Sequence, residues 1–514
     1  MPRATKPVTT LSGTTLGVAA VGLSLASFMQ ILDQTIANVS IPTIAGNLGV
    51  SPNQGTWVVT SFGVATAISL PLTGWLADRI GQVRLLLWSA SLFVLASVLC
   101  GMASSLEMLV LARILQGAVA GPMIPLSQSM LVAIFPPQRR VLALTLWSTV
   151  TIVAPICGPL LGGWISDNWG WPWIFFINVP IGIVAVAMML RCFRGRETPV
   201  KSVPIDLTGL LLLAIWVGSL QLLLDIGNDV GWFQDQTVIW LAVTAFAGFC
   251  YFLVWELTHA HPVVELRLFA KRNFSVGVIA VGCGYGIFFG TAILVPLWLQ
   301  TQMGYSAAWA GLAAAPVSVF PLLLSRFVGP GLRRFDPRWF ASFAFIAFAF
   351  SSFMRADFTT QTDFAAVVWA QLITGLGIAM FMVPLQSVIL GGMNANQVAS
   401  AAGLSSFIRV IGGSFGASIA TSLWSRRDAI HHAQLAEAVS QWNPSTQSAL
   451  QTLGERGLNE MQSNLVLERL LGAQSSVMGV IDYFWLAGWV LLAMVLVVWL
   501  ARPPFDAGQA PAAE

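Results

Sequence analysis

An aspartate set in an apolar run is a costly choice, and this sequence makes it at Asp33, in the segment SFMQILDQTIANVSIP. By the i, i+3, i+4 rule, Gln30, Asp33, Gln34, Ala37 and Asn38 share one face of a helix. A charge at membrane depth costs about 2.5–3.5 kcal/mol even on translocon scales, so that face must line a bundle interior or a water cavity. A carboxyl held there can take up and release a proton; the plainer alternative is a carboxylate that only ties helices together. Arg113, in LARILQGAVAGP with Gln116, Gly117 and Gly121 nearby, supplies the opposite charge. Its guanidinium cannot in practice be deprotonated. Its field therefore lowers the proton affinity of a neighbouring carboxylate while desolvation raises it. The two residues are expected to exchange a proton between compartments, Asp33 carrying it and Arg113 governing the exchange. A structural anchor to backbone carbonyls is the alternative role for Arg113, and both roles can hold together. Gln30, Gln34, Asn38, Gln116 and Arg409 are the further polar candidates for a substrate cavity, Arg409 standing beside Gly412, Gly413 and Gly416.

Two glycine-rich segments bear on motion rather than charge transfer. GWLADRIGQVR packs Gly74, Asp78, Arg79, Gly81 and Arg84 into a short joint between apolar runs. Gly74 permits close helix approach, Gly81 a turn unfavourable to other residues, and Asp78 with Arg79 and Arg84 an ion-pair latch that breaks and re-forms. An ordinary positively charged loop is the plainer reading. APICGPLLGG carries Pro155, Gly158, Pro159, Gly162 and Gly163. Gly158 and Gly162 make a small-xxx-small packing face while the two prolines free carbonyls and soften the helix; packing alone would also explain them.

The elements that must hold these residues follow from composition. Of 514 residues 56% are hydrophobic and 9% charged, against about 25% charged in soluble domains, so a water-soluble globule is excluded. Fourteen apolar runs long enough to span a bilayer can be read, from 14–40 to 477–501, and they are too long and uniform for barrel strands. Helices satisfy the backbone in lipid. The basic residues collect in alternate loops: Arg79 and Arg84; Arg139 and Arg140; Arg191, Arg194, Arg196 and Lys201; Arg267, Lys271 and Arg272; Arg333, Arg334 and Arg338. The intervening loops hold Glu107, Asp167, Asp225, Asp229, Asp235, Arg355 and Asp357. This bias predicts that both termini are cytoplasmic. The basic N-terminus with Arg3 and Lys6 precedes a run too long for a signal-peptide core, so a retained first helix is expected.

Composition breaks at 191–205 and 259–273 divide the runs six, two and six. The expected organisation is an N-terminal six-helix bundle (1–190), a linker with two inserted membrane helices (191–273) and a C-terminal six-helix bundle (274–514) that includes an extramembrane excursion at 425–476. The second half should repeat the opening joint, and GPGLRRFDPR at 329–338 does so in scrambled order. The excursion contains His431 and His432, read as solvated or capping rather than metal-binding; a solvated linker and a partner-docking surface both remain open for it. No CxxC, HExxH or GxxxxGK[ST] pattern occurs. Neither metal nor cofactor is expected, and an ion gradient is the economical energy source.

LDQTIANVSIP, GWLADRIGQVR, LARILQG and APICGPLLGG together resemble the major facilitator superfamily, and more narrowly its fourteen-helix drug:proton antiporters. The resemblance covers nearly the whole chain. It implies an all-α polytopic fold, residence in the bacterial inner membrane, and proton-driven export of varied hydrophobic drugs. It implies also a periplasmic adaptor of the EmrA type and an outer-membrane channel of the TolC type, with lipid around the chain and no nucleic acid among its partners. Asp33 matches the first-helix acid, Arg113 the fourth-helix arginine, Gly74 to Arg84 the hinge, and Gly158 to Gly163 the antiport motif. Gln82 stands where the hinge often has a basic residue. An exporter dedicated to one natural metabolite, such as a fatty acid or siderophore, is the rival within transport. A transport-dead sensor is the rival outside it, against which intact Asp33 and Arg113 speak; an enzyme is not expected.

Overall fold

The computed structural model describes residues 10–136, 139–200, 206–259, 262–332, 334–393, 395–440 and 442–505. Arg3, Lys6, Lys201, His261 and Arg333 lie outside them. The helices run α1 (Gly13–Leu48), α2 (Pro52–Gly55), α3 (Trp57–Ser69), α4 (Leu72–Ile80), α5 (Gln82–Gly101), α6 (Leu106–Ala120), α7 (Met123–Ile134), α8 (Arg140–Asn168), α9 (Trp173–Phe176) and α10 (Asn178–Phe193). An inserted pair follows, α11 (Leu207–Ile226) and α12 (Gln236–Thr258). The chain ends with α13 (Arg272–Thr301), α14 (Ala307–Ala314), α15 (Val319–Leu332), α16 (Pro337–Ala356), α17 (Phe364–Ala379), α18 (Met382–Leu390), α19 (Ala395–Ala438), α20 (Pro444–Glu455) and α21 (Glu460–Val498). Among the described residues no strand occurs. The all-helical expectation is met because every backbone group in lipid must bond within its own segment.

Short polar joints start these helices cleanly. The side chains of Ser105, Asp206, Asp235, Ser306, Asp336 and Asp363 each accept a hydrogen bond from a backbone N–H in the first turn that follows, which satisfies donors that a helix start otherwise leaves open. Among the described residues eleven helices are long and apolar enough to cross a membrane, or up to twelve if α3 and α4, bent by 58° at Leu70 and Pro71, form one span. The expected fourteen is not fixed by that measure; α8 and α19, of 29 and 44 residues, are not among those eleven.

In the first half α1 packs on α8 and α10, and α3 and α5 on α6; in the second, α13 packs on α19, and α21 on α16 and α19. At the end where α1 begins and α21 stops, here the terminal face, the named contacts stay within a half. The Leu11 N–H donates to the Ile134 carbonyl, while Arg272 and Asn273 donate to the Leu500 and Arg502 carbonyls. At the opposite end, the far face, one apolar core runs through both halves, joining Ile36, Ile41 and Ile165 to Ile293, Leu297 and Ala310. A separate core made only of residues 11–193 fills the first half.

The sequence reads 425–476 as an excursion between membrane runs. In the structure α19 and α21 simply continue through it as a helical hairpin, capped by α20. Asp482 receives Arg427 at 3.5 Å and His431 at 2.9 Å, His432 meets Glu468 at 3.1 Å, and the Ser475 hydroxyl donates to Asp428. The hairpin is therefore laced by polar cross-bonds where the apolar drive of the lipid region ends.

Candidate functional site

Glycine decides where the central helices meet. A Cβ on Gly117 would strike the Phe62 carbonyl, and one on Gly121 would strike Ser69, so α6 lies close against α3. That contact sets the Phe62 ring 4.1 Å beneath the Arg113 guanidinium, with Phe175 at 5.5 Å, a cation–π seat in a dry setting. On α6, Gln116 lies three residues beyond Arg113 and faces the same way.

Asp33, Ser97, Arg113, Gln116 and Asn178 converge here from α1, α5, α6 and α10, with Asp33, Ser97, Arg113, Gln116 and Asn178 all at 0% exposure. Arg113 Nη1 pairs with Asp33 Oδ2 at 2.5 Å and also donates to Gln116 Oε1 at 2.7 Å. Its Nε donates to the Val58 carbonyl at 2.8 Å. The second carboxylate oxygen of Asp33 accepts from Gln116 Nε2 at 3.0 Å and from Asn178 Nδ2 at 2.7 Å. Ser97 Oγ accepts from the same two amides, at 2.8 and 3.3 Å, and fixes both. A buried ion pair holds its place only when additional hydrogen bonds satisfy its remaining donors and acceptors. Asp33 meets that condition at Oδ1, whereas Arg113 Nη2 is buried without a hydrogen-bond partner. Chemically, a proton and Arg113 compete for one carboxylate whose other partners are neutral.

The remaining cavity candidates are arranged differently. Gln30 and Asn38 are 3% and 4% exposed, and each leaves a buried side-chain oxygen without a hydrogen-bond partner. Gln34 is half-buried. Arg409, on α19 in the other half, lies 5.1 Å above the Tyr285 ring. Among the described residues none of these four bonds to Asp33; of the cavity candidates Gln116 alone does.

The joint at 74–84 holds a different set of contacts from the expected latch. Gly74, Asp78, Arg79 and Arg84 are exposed, a Cβ on Gly74 would meet nothing within 4 Å, and Arg79 lies 5.4 Å above the Trp75 ring. Among the described residues Asp78 forms no ion pair. The carboxylate at the joint is instead Glu197, from the segment after α10. Its two oxygens accept the Val83 and Arg84 N–H groups at 2.9 and 3.0 Å, and Arg84 Nε lies 3.8 Å away. Gly81 has φ +97°, and a Cβ there would overlap the Glu197 carboxyl. In the second half the corresponding helix α16 is capped by its own neighbour, Asp336, which also takes a forked pair of bonds from Arg338. The scrambled order of GPGLRRFDPR thus reflects a local carboxylate doing what a distant one does in the first half.

The α8 motif lies in the seam between the halves. Gly158 and Gly162 pack on Thr35 and Ile36 of α1, while Gly163 meets Ala307 and the Pro159 carbonyl meets Gly311 of α14. Pro155 and Pro159 both stand inside the helix. One turn on, Asp167 accepts the Ala307 and Ala308 N–H groups at 3.2 and 2.7 Å, and Gln300 Nε2 donates to the Val39 carbonyl at 2.7 Å. These far-face bonds are the ones that join the two halves directly among the described residues.

Sequence reasoning missed several polar residues. Asn178 opens α10 inside an apolar string, and Glu197 stands in a composition break. Arg355 was read as a loop charge but is 1% exposed, bonded to Ser351, Gln371 and Thr374. Asp225, also read as a loop charge, is buried. Both sit in the last turn of a helix, where the edge of an apolar window cannot say whether the side chain turns inward.

Comparison with known proteins agrees with this architecture. The family model described as Major Facilitator Superfamily matches residues 23–417. The chain is 48% identical over 499 residues to the multidrug export protein EmrB of Escherichia coli K12, covering 97% of this chain and 98% of that one. It is 46% identical over 499 residues to the fatty acid resistance protein FarB of Neisseria gonorrhoeae, with the same coverage. Among solved structures it resembles a bacterial homologue of the human lysosomal transporter Spinster in an inward-facing, unoccupied conformation, with TM-score 0.63 and 17% identity over 96% of this chain and 100% of that one. A POT peptide transporter in complex with sulfate gives TM-score 0.64 and 14% identity over 96% and 98%. These likenesses to solved structures speak to the fold alone.

Proposed function

This chain belongs to the Major Facilitator Superfamily, and from that premise we propose that it is a proton-driven exporter of varied hydrophobic compounds, working as the inner-membrane part of a three-component pump. The observation that carries the reading is the fully buried Asp33–Arg113 pair with the amides of Gln116 and Asn178 on its free carboxylate oxygen. Protonating Asp33 cancels its attraction for Arg113, whose bonds to Val58 and Gln116 keep the cation seated. With the terminal face taken as cytoplasmic, the far-face seam closes the outer side in the present conformation. In the opposite conformation the seam parts, and Gly74 to Arg84 meet the other half. The proton gradient supplies the energy, and no cofactor takes part.

The test is export from proteoliposomes of the full chain under an imposed pH difference, with a panel of lipophilic cations, hydrophobic weak acids and long-chain fatty acids. Wild-type protein exports several classes and admits protons as it does so. Asp33→Asn inserts normally and loses both fluxes; undiminished export by this variant removes the assignment. Likeness to FarB favours a second reading, export of fatty acids alone, and a panel answered only by fatty acids would establish it in place of the broader one.

Assembly with an adaptor is supported by the hairpin tip. Trp442 and Met461 are 88% and 75% exposed, and exposed apolar clusters beyond the lipid commonly mark protein contacts. An adaptor of the EmrA type, leading to a channel of the TolC type, copurifies with the full chain and is lost when residues 440–458 are replaced by a short glycine–serine turn. Retention of the adaptor by that variant places docking elsewhere.

A further inference from the structure

The inserted helix pair has no part in the exchange at Asp33, yet α11 carries an acid of its own into the seam. Asp225 is 8% exposed. Its Oδ1 accepts from the Ser418 hydroxyl at 2.5 Å and from Gln221 Nε2 at 2.7 Å, and its Oδ2 accepts from the Thr60 hydroxyl at 3.0 Å. Thr60 belongs to α3 of the first half and Ser418 to α19 of the second, so one carboxyl is held by three separate bodies. Further bonds fasten the same end of α11: Ser422 donates to the Leu224 carbonyl, Asn228 to Ser425, and Asn53 to Asp229.

All three partners of Asp225 are neutral. The titratable and charged groups on the elements packed against it are Asp229, just beyond the end of α11, and Asp235, before α12; Asp206 and Glu256, at the other end of the inserted pair; and Arg409, Arg426, Arg427, Asp428, His431, His432 and Glu437 on α19, Arg427 and His431 being paired with Asp482 and His432 with Glu468. The packed elements α2 and α3 contribute none. Among the described residues no cation lies within 4 Å of Asp225. A buried carboxylate without a counter-charge is expensive, and a proton is the simplest relief.

The surroundings suit a protonated carboxyl as well as an ionised one. Gln221 is 4% exposed and its Oε1 is buried without a hydrogen-bond partner. Turning that amide over presents the oxygen to an Asp225 hydroxyl, so the group that donates to the anion accepts from the acid. The Ser418 hydroxyl has a second acceptor in the Ser414 carbonyl at 3.3 Å. Asp225 itself therefore finds a partner in either state.

We propose that Asp225 is a second proton-binding carboxyl, carried by the inserted pair and opened to the far compartment when α3 and α19 part. The proposal rests on the proton-coupled reading above and extends it. Buried in the closed seam without a counter-charge, Asp225 holds its proton in the present conformation. When the seam opens, Asp225 gains access to solvent, the cost of burying its charge disappears and it releases the proton, which it takes up again as the seam closes.

Infrared difference spectra of the full chain in lipid, titrated from acid to alkaline pH without substrate, test this. Wild-type protein shows two titrating carboxyl C=O components. Asp33→Asn removes one, Asp225→Asn removes the other, and Asp225→Glu restores a titrating band, which a purely structural role would not do. Ser418→Ala, which removes a donor to Asp225 but leaves every acid in place, shifts the frequency of the Asp225 component, and this variant serves if Asp225→Asn does not fold. Spin labels on the far ends of α3 and α19 separate with rising pH in wild type and lose that response in Asp225→Asn. If the spectra of Asp225→Asn and wild type superimpose while Asp33→Asn still removes a band, the proposal fails and proton coupling stands. If no Asp33 component exists either, the broader reading fails with it.

Discussion

Arg113 pairs with Asp33, braces the Val58 carbonyl and lies over the Phe62 ring, so its removal has effects that differ from those at Asp33. Arg113→Ala leaves the Asp33 carboxylate buried without its cation, and breaking such a pair from one side costs about 3–5 kcal/mol. Denaturant unfolding in detergent should show that loss, whereas Asp33→Asn, which keeps an amide among the same donors, loses less. The double variant Asp33→Asn with Arg113→Gln should recover much of the stability while export stays silent. Additive losses in the double variant would deny that the two side chains act as one unit. Asp33 and Arg113 were legible in the sequence because a charge in an apolar run has nowhere inexpensive to go. Asn178 and Ser97 were not, since a lone amide or hydroxyl in a membrane helix bonds its own backbone cheaply and leaves no pattern. Asp225 and Arg355 were lost for a related reason: each stands one turn from a helix end, where hydropathy cannot distinguish an inward side chain from a loop charge.

At the level of elements, the start of the third long helix in each half is held by a carboxylate, Glu197 on α5 and Asp336 on α16. The glycines of the first joint accordingly differ in what they tolerate. Gly81 has positive φ and no room for a Cβ, so Gly81→Ala should lower stability by about 1 kcal/mol or more. Gly74 has open space around it, so Gly74→Ala should leave the melting temperature nearly unchanged and express any defect in transport alone. Glu197→Ala, by loss of a cap, should cost about 0.5–2 kcal/mol and speed amide exchange at Val83 and Arg84. Normal exchange there would show that the cap is incidental. The motif was plain in the sequence, but its carboxylate partner was not. Glu197 lies more than a hundred residues downstream, and only the fold brings it to the joint.

For the whole molecule, the seam at the far face is the feature that alternating access must undo. An ideal Cβ on Gly63 lies 3.4 Å from the Ser414 Cβ, close to the roughly 3.5–4.5 Å that a disulfide spans. Gly63→Cys with Ser414→Cys, in a chain otherwise free of cysteine, should cross-link on mild oxidation, stop export, and regain it on reduction. Full export by the cross-linked protein would mean that this end never opens. The basic residues and proline at its borders lead the sequence to a six, two and six division, but the reach of α19 and α21 was not legible there: hydropathy ends where lipid ends, and the helices do not. With 44 residues, α19 extends about 66 Å, over twice the roughly 30 Å hydrocarbon layer. About 20 Å of it, from residue 425 to the helix end at Ala438, therefore stands clear of the bilayer as a mast braced by α21. Each degree by which its base leans carries the masthead sideways by about a third of an ångström, so a protein moored there is told, mechanically and without any chemical messenger, which way the carrier is facing.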